Sequence, residues 1–232
     1  MSAAQETDRA RALLAVVEAR AKPEVWEWLL GGVPAGGPLQ RAAFFGRYAG
    51  AGRRLAAPQP VLTAAERAGL LAIGVEVPEV FSLGDLARAA LLCQGLATSE
   101  PGEHVALLTE LFRKGDNAER IALLRALPLL PVPERFVALA VEACRTHVLD
   151  VFASIACENP FPARHFPDPS FNQLVMKTLF QGLALDRVHG WRGRCNPALR
   201  ASAADYEAER RAAGRQVPAD VVSIRATEGP PP

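Results

Sequence analysis

The fold class is decided by a stretch near the middle of the chain, which reads Asp116-Asn117-Ala118-Glu119-Arg120-Ile121-Ala122-Leu123-Leu124-Arg125-Ala126-Leu127-Pro128-Leu129-Leu130-Pro131-Val132-Pro133. Asp116 followed by Glu119 is an N-terminal capping pattern, and the apolar residues after it recur at helical spacing. The three prolines then end the helix, because proline lacks an amide proton and clashes with the preceding turn. The stretch therefore predicts a short helix closed by a sharp turn.

The same pattern recurs on both sides of this stretch. Thr63 with Glu66 and Ser82 with Asp85 are further capping pairs. Strand-like alternation is nearly absent, and we expect helices over residues 7–20, 23–30, 39–49, 63 onward, 82–96, 103–114, 116–127, 133–145, 146 onward, 168–180 and 196–213. We therefore predict an all-α fold of stacked antiparallel helical pairs, similar to a HEAT-like α-solenoid, although no strict internal period is found.

This architecture is expected to form one domain over residues 1–217. The glycine-rich and proline-rich segment 31–38 predicts a flexible loop, and the run 50–60 predicts irregular structure. The chain ends in Glu-Gly-Pro-Pro-Pro, which predicts a disordered tail over residues 218–232.

The composition is that of a folded chain without an overall charge bias. Half of the 232 residues are hydrophobic and 22% are charged, which excludes a disordered protein. The 26 Lys and Arg residues oppose 25 Asp and Glu residues, so the net charge of +1 gives no general reason to bind nucleic acid. Because no uncharged apolar run of about 18 residues occurs, we also expect no direct membrane insertion.

The N-terminus and the cysteines favour a cytoplasmic location. Glu6 and Asp8 precede any apolar run, unlike the start of a secretory signal. The cysteines are scattered and form no CxxC motif, so reduced thiols are the simplest interpretation for Cys93, Cys144, Cys157 and Cys195. We predict a cytoplasmic protein without a cofactor.

Three short motifs contain residue types that are common at catalytic or ligand-binding sites. Cys144 and His147 share a helical face, but a zinc site needs about four ligands and no second pair has matching spacing. Cys195 and His189 would be a nucleophile and a base only if the fold brought them together, which their spacing does not predict. No strand precedes the glycine-rich basic stretch 50–54 and no GK[ST] motif follows it, so we interpret it as a loop with solvated arginines. No catalytic residue and no metal site are predicted.

Several polar residues stand in apolar or proline-rich surroundings. Asn159-Pro160-Phe161-Pro162 predicts either a helix stop with Phe161 in the core or a rigid loop that aims Asn159 at a ligand. Asn172 and Lys177 lie in an otherwise apolar helix, five residues and about 140° apart, where Lys177 can extend past the apolar face. A charged helix end follows at residues 209–215.

From residue 145 onward these residues follow one another in a distinctive order: Arg145-Thr146, Val151-Phe152, Asn159-Pro160-Phe161-Pro162-Ala163, Phe171-Asn172-Gln173-Leu174-Val175-Met176-Lys177, Phe180, Arg194, Asn196-Pro197-Ala198-Leu199, Asp205-Tyr206, Glu209-Arg210 and Ala212-Ala213-Gly214-Arg215. Weaker matches reach back through Asp116 and Glu119 to Asp85-Leu86-Ala87-Arg88. In order and spacing, these segments resemble the EboA family of metabolite-traffic proteins. The resemblance spans most of the chain and is densest over residues 145–218.

The resemblance implies an accessory role beside enzymes that make or export a small, possibly prenylated metabolite. The partner enzymes that the resemblance implies are a prenyltransferase, a hydrolase, a dehydroquinate-synthase-like enzyme and a sugar-isomerase-like protein. The helical member would be a non-enzymatic adapter that binds a partner enzyme or its product. The alternative is an enzyme, or an enzyme subunit, acting on a phosphorylated or prenylated small molecule, with clustered cations on the phosphate.

Both interpretations use the same candidate residues. Most of these are polar residues in apolar or proline-rich surroundings, and all belong to segments that resemble the family. The predicted ligand-binding or partner-binding set is Arg88, Arg145, Asn159, Asn172, Lys177, Arg194, Arg210 and Arg215. We expect the functional surface to consist of the loop at 159–162 and the two helices after it. A deep pocket that contains several of these cations would favour a small molecule, and a broad apolar patch would favour a protein partner.

Overall fold

Helices form all of the regular structure in residues 3–31, 39–55 and 61–227, which are the residues that the computed structural model describes. In chain order they are α1 (Ala3–Glu18), α2 (Pro23–Leu30), α3 (Arg41–Arg54), α4 (Ala64–Ala72), α5 (Leu83–Ala97), α6 (His104–Lys114), α7 (Asn117–Ala126), α8 (Val137–Ala143), α9 (Leu149–Ala156), α10 (Phe161–His165), α11 (Asp168–Phe180), α12 (Pro197–Ala212) and α13 (Ala219–Ala226). The prediction of an all-α fold is confirmed. The HEAT-like stacking and the single domain stay predictions.

The capping residues identified in the sequence begin the helices as expected. The Thr63 hydroxyl accepts a hydrogen bond from the amide of Glu66, whose carboxylate accepts one from the amide of Thr63. Ser82 and Asp85 form the same reciprocal pair at the start of α5. Each pair satisfies amides that have no partner within the helix, which is why these positions set the helix boundaries.

The chain divides into two compact units, unit 1 over Met1–Leu139 and unit 2 over Ala140–Pro232. In unit 1, α5 is buried along almost its whole length, and α1, α3 and α7 pack against it. A helix with apolar residues on all sides is expected at the centre of a core, because every face of it excludes water. α5 is therefore the central element of unit 1.

Two glycines allow α3 and α5 to pack in backbone contact. A Cβ built on Gly84 would lie 2.8 Å from the Cα of Gly52, closer than real atoms approach. Gly50 is equally constrained, because a Cβ there would lie 2.7 Å from the indole ring of Trp28. The stretch 50–54, predicted as a loop, is therefore the last part of α3 instead, and its glycines serve helix packing.

Unit 2 is built from α9 to α13. α9 begins at Leu149, not at residue 146 as predicted, and Val148 occupies its cap position without a side-chain hydrogen bond. The hydroxyl of Thr146 accepts a hydrogen bond from the amide of Val148 at 3.1 Å, in the turn before the helix. α11 begins and ends at the predicted residues, and α12 begins with Asn196 as its cap. α11 packs against both α9 and α12, so it is the element on which the candidate residues of this unit are arranged.

The C-terminal segment differs from its prediction. Residues 218–232 were expected to be disordered, but Ala219–Ala226 form α13, which packs against α12. Val221 and Ile224 lie three residues apart, and both are completely buried. Their burial stabilises this helix, because a helix of eight residues is marginal on its own. The last five residues, 228–232, lie outside the described residues.

Two further predictions also fall outside the described residues. They are residues 32–38 of the flexible loop predicted over 31–38 and residues 56–60 of the irregular run predicted over 50–60. Among the residues that the structure does describe, no helix is long and apolar enough to cross a bilayer.

Candidate functional site

Lys177 projects from α11 toward the start of unit 2. Its Nζ donates hydrogen bonds to the carbonyl oxygens of Cys144 and Thr146, at 2.6 and 2.7 Å, and lies 4.8 Å from the ring centroid of Phe152. The ammonium group is half-buried, so both carbonyls and the aromatic face offset its loss of water. Lys177 therefore joins the turn before α9 to the last turn of α11.

Asn172 and Arg194 belong to one polar cluster. The side-chain amides of Asn172 and Asn196 exchange hydrogen bonds at 3.0 and 3.1 Å, while Asn196 also caps α12. Arg194 donates to the carbonyls of Pro162 and Ala163 and pairs with Asp168, and its guanidinium lies 4.4 Å from the ring centroid of Phe171. The cluster ties the start of α11 to the start of α12.

Asn159 lies in the core of unit 2. Its amide donates to the carbonyl of Ser154 at 3.0 Å, and its carbonyl oxygen accepts from the amide of Phe161 at 3.0 Å. Phe161 is completely buried and begins the short helix α10. This geometry matches the first of the two interpretations, a helix stop with Phe161 in the core.

Arg88 belongs to unit 1 and is buried beneath α3. It donates to the carbonyls of Tyr48, Ala49 and Ala118, at 2.9, 3.2 and 3.4 Å. Gly52 makes this possible, because a Cβ there would lie 2.9 Å from the guanidinium nitrogens. Three carbonyls therefore surround a cation that the sequence analysis assigned to ligand binding.

The remaining candidates lie at the surface of unit 2. Arg145 pairs with Glu142 at 2.9 Å, and the exposed side chain of Arg215 forms no hydrogen bond or ion pair with the described residues. Arg210 donates twice to the carbonyl of Gln216, at 2.9 and 2.7 Å, which fixes the guanidinium in place. Arg145 and Arg215 are thus the most exposed of the candidates, and Arg210 is half-buried.

Arg210 extends an aromatic pair formed by the half-buried Tyr206 and the exposed Phe180. Its guanidinium lies 5.8 Å from the ring centroid of Tyr206, and Tyr206 meets Phe180 edge-on with 4.8 Å between ring centroids. Phe180 ends α11 and is 56% exposed, although it is a large apolar side chain. We call Phe180, Tyr206 and Arg210 together the Phe180 surface.

The structure brings the candidates together in separate small groups. Lys177, Asn172 with Arg194, Asn159, and Arg210 each have their own neighbours. Two open cavities of about 490 and 480 Å³ are bounded by described residues of unit 1, and none of the eight candidates lines either of them. The convergence of cations that the enzyme alternative expects is therefore absent from both cavities.

The two Cys–His pairs are placed differently from catalytic or metal sites. Burial raises the pKa of the Cys144 thiol to about 12, with Lys177 opposing the shift, and His147 is exposed. Cys195 is completely buried and donates to the carbonyl of Ile224 at 3.5 Å, while His189 is exposed. Within the described ranges, no group of three or more His, Cys, Asp or Glu residues is arranged to hold a metal ion.

Comparison with known families gives this geometry its context. The family described as metabolite traffic protein EboA matches residues 12–225. The chain belongs to the EboA family. The match covers all eight candidate residues of this EboA protein, and it covers the Phe180 surface and the lining of both cavities. Neither the curated proteins nor the solved structures include a significant match.

Sequence reasoning missed the two aromatic members of the Phe180 surface as functional residues. The sequence pattern places Phe180 on the apolar α11, and Tyr206 contributes only to the family resemblance. The sequence did contain a signal for its exposure, because Phe180 lies one turn beyond the buried Met176, at the end of the helix. Its exposure depends on where α12 lies, which spacing along the chain does not give.

Proposed function

We propose that this EboA protein is a cytoplasmic, non-enzymatic adapter that binds a partner protein through the Phe180 surface during metabolite traffic. The family description supports the metabolite role. The observation that carries the adapter role is the contact of the exposed Phe180 ring with Tyr206 and Arg210, in the region where the family resemblance is densest.

The chemistry of this ladder suits protein recognition. Aromatic residues and arginine dominate the binding energy of protein interfaces, because each offers a large contact area with few rotatable bonds. The two hydrogen bonds from Arg210 to Gln216 hold its side chain in place before a partner arrives, which lowers the entropy lost on binding. Arg215 is exposed five residues further on and adds a cation whose side chain is not paired with any described residue.

The partner is expected to complement these features. It would present an apolar side chain against Phe180 and a carboxylate within reach of Arg210 and Arg215. A biosynthetic enzyme of the same pathway is the partner we propose, in line with the prenyltransferase, hydrolase and isomerase-like enzymes that the family resemblance implies.

The test is recovery of the partner with matched surface variants. Phe180→Ala should lower the amount of co-purified partner at least tenfold, because a central aromatic contact contributes about 2 kcal/mol or more. Arg215→Ala should lower it by a smaller factor. Val222→Ala is the control, because Val222 is also apolar and 51% exposed but lies on α13. Recovered proteins are quantified by mass spectrometry, and melting curves verify that each variant is folded.

A different result would reject the proposal. Equal recovery of every specific partner with Phe180→Ala and Val222→Ala would remove the Phe180 surface from the function. Turnover of a phosphorylated or prenylated compound by the purified chain alone would replace the adapter with an enzyme.

A further inference from the structure

Unit 1 contains an apolar cavity whose lining includes none of the candidate residues and no member of the Phe180 surface. Its volume is about 490 Å³, within the range of roughly 300–1,000 Å³ that is usual for small-molecule sites. It opens between the turn before α4, the segment between α4 and α5, and α5 itself. Its apolar lining comes from Val61, Leu62, Val77, Val80, Phe81 and Leu86.

One cation is positioned at this cavity. Arg67 of α4 lines it, and one guanidinium nitrogen donates to the carbonyl of Val77 at 2.6 Å. This bond fixes the guanidinium at the wall, and Arg67 forms no ion pair with the described residues. Its neighbour Glu66 is already bound in a two-pronged pair by Arg20, at 2.9 and 2.7 Å. The positive charge of Arg67 is therefore available to a ligand.

The other charged lining residue is less favourably placed for binding. Glu79 lines the cavity but is exposed, so water screens its carboxylate. Arg67 is half-buried, and a charge beside an apolar wall acts through a lower effective dielectric than one in open solvent. The balance favours a negative group at Arg67 over a positive group at Glu79.

We infer that this cavity binds an amphiphilic small molecule, with an apolar body against the valines and Phe81 and a single anionic group on Arg67. The inference rests on the proposed function in one respect, since it names the class of metabolite that the adapter would carry. The site itself belongs to unit 1 and is tested without any partner protein.

Two dyes with the same apolar rings separate the contribution of the apolar lining from that of the Arg67 guanidinium. Anilinonaphthalene sulfonate carries one anionic group, and phenylnaphthylamine carries none. In fluorescence titrations of the full chain, the sulfonate should bind about tenfold more tightly than the neutral dye, as expected for a charge-assisted hydrogen bond. Arg67→Gln should abolish this preference and leave the neutral dye unaffected, and Glu79→Gln should strengthen the preference.

A bulky substitution tests the cavity itself. Val80→Trp should weaken both dyes at least fivefold by filling the space, because Val80 lines the cavity and is 45% exposed, so that the added ring does not disturb the core. Leu71→Trp is the matched control, since Leu71 is 59% exposed on α4 and does not line the cavity. Equal binding by these two variants would overturn the inference.

Arg67 also supports the segment that contains Val77, so Arg67→Gln is paired with Arg67→Lys. The lysine variant retains the charge and should keep a preference for the sulfonate. If the wild-type chain binds both dyes equally, or if Arg67→Lys and Arg67→Gln behave alike, the anionic part of the ligand is wrong. Dye binding does not depend on the Phe180 surface, so failure here is distinct from failure of the adapter proposal.

Discussion

At the scale of single residues, polar groups in apolar surroundings are bound to backbone carbonyls in this protein. Lys177, Arg88 and Arg194 each donate to two or three carbonyl oxygens, and Asn159 links the last turn of α9 to the start of α10. A buried donor or acceptor without a partner costs roughly 1–3 kcal/mol, so these contacts stabilise the fold whatever else the residues do. Binding roles for them stay predictions.

Lys177→Met is expected to destabilise the protein. The substitution keeps the long apolar chain but removes both hydrogen bonds to Cys144 and Thr146, which should cost about 2 kcal/mol and lower the melting temperature by roughly 4–8 °C. Arg145→Met is the control, because its exposed pair with Glu142 contributes at most about 1 kcal/mol. Thermal unfolding followed by circular dichroism measures both. Equal melting of the two variants would show that Lys177 is free to serve a ligand.

At the scale of elements, the packing of α3 on α5 depends on having no side chain at the crossing point. Gly84 and Gly52 lie in backbone contact, and the same closeness brings the carbonyls of α3 within reach of Arg88. Glycine inside a helix normally costs about 0.5–1 kcal/mol relative to alanine. Close packing of the two helices offsets that cost here.

Gly84→Ala and Gly69→Ala should therefore change stability in opposite directions. The added methyl group at Gly84 meets the backbone of α3, so we expect a loss of about 1–3 kcal/mol. Gly69 lies on the exposed side of α4, and no described atom is within 4 Å of a Cβ built there, so alanine should stabilise by about 0.5–1 kcal/mol. Urea denaturation measures both free energies. A neutral Gly84→Ala would mean that α3 shifts freely along α5.

At the scale of the whole molecule, the four thiols are shielded in both units. Three are buried, one in unit 1 and two in unit 2, namely Cys93, Cys157 and Cys195. The fourth, Cys144, is half-buried with its pKa raised to about 12, so its thiolate is scarce at neutral pH. Reaction with a thiol reagent therefore requires local or complete unfolding.

At pH 8, dithionitrobenzoate should react only slowly with the native protein. In denaturant it should react rapidly with all four cysteines. Below the raised pKa the Cys144 thiol is protonated and unreactive, so its labelling should accelerate only as the pH approaches 12 or as unit 2 opens. Mass spectrometry after partial alkylation determines the order in which the four cysteines react. Rapid labelling of Cys93 in the native state would contradict the packing of α5.

Much of the fold could be predicted from local patterns. The residues that end or begin α2, α11 and α12 are proline, asparagine and glycine at helix boundaries, whose effects act within a turn of the chain. The prediction failed where packing opposed composition. Glycines 50 and 52 indicated a loop and lie in a helix, and the segment after Pro218, whose glycine-proline end indicated disorder, forms α13.

The candidate site shows the same division. Composition, capping and spacing by themselves determined that this is an all-α chain and which residues are polar in apolar helices, because those properties are set by neighbours along the sequence. Only the tertiary structure decided which of them have internal partners, that Phe180 is exposed beside Tyr206, and that Arg67 lies at an apolar cavity. The physical reason is that hydrogen bonds, exposure and cavities depend on residues far apart in sequence, such as Lys177 and Cys144, whose distance no local pattern specifies.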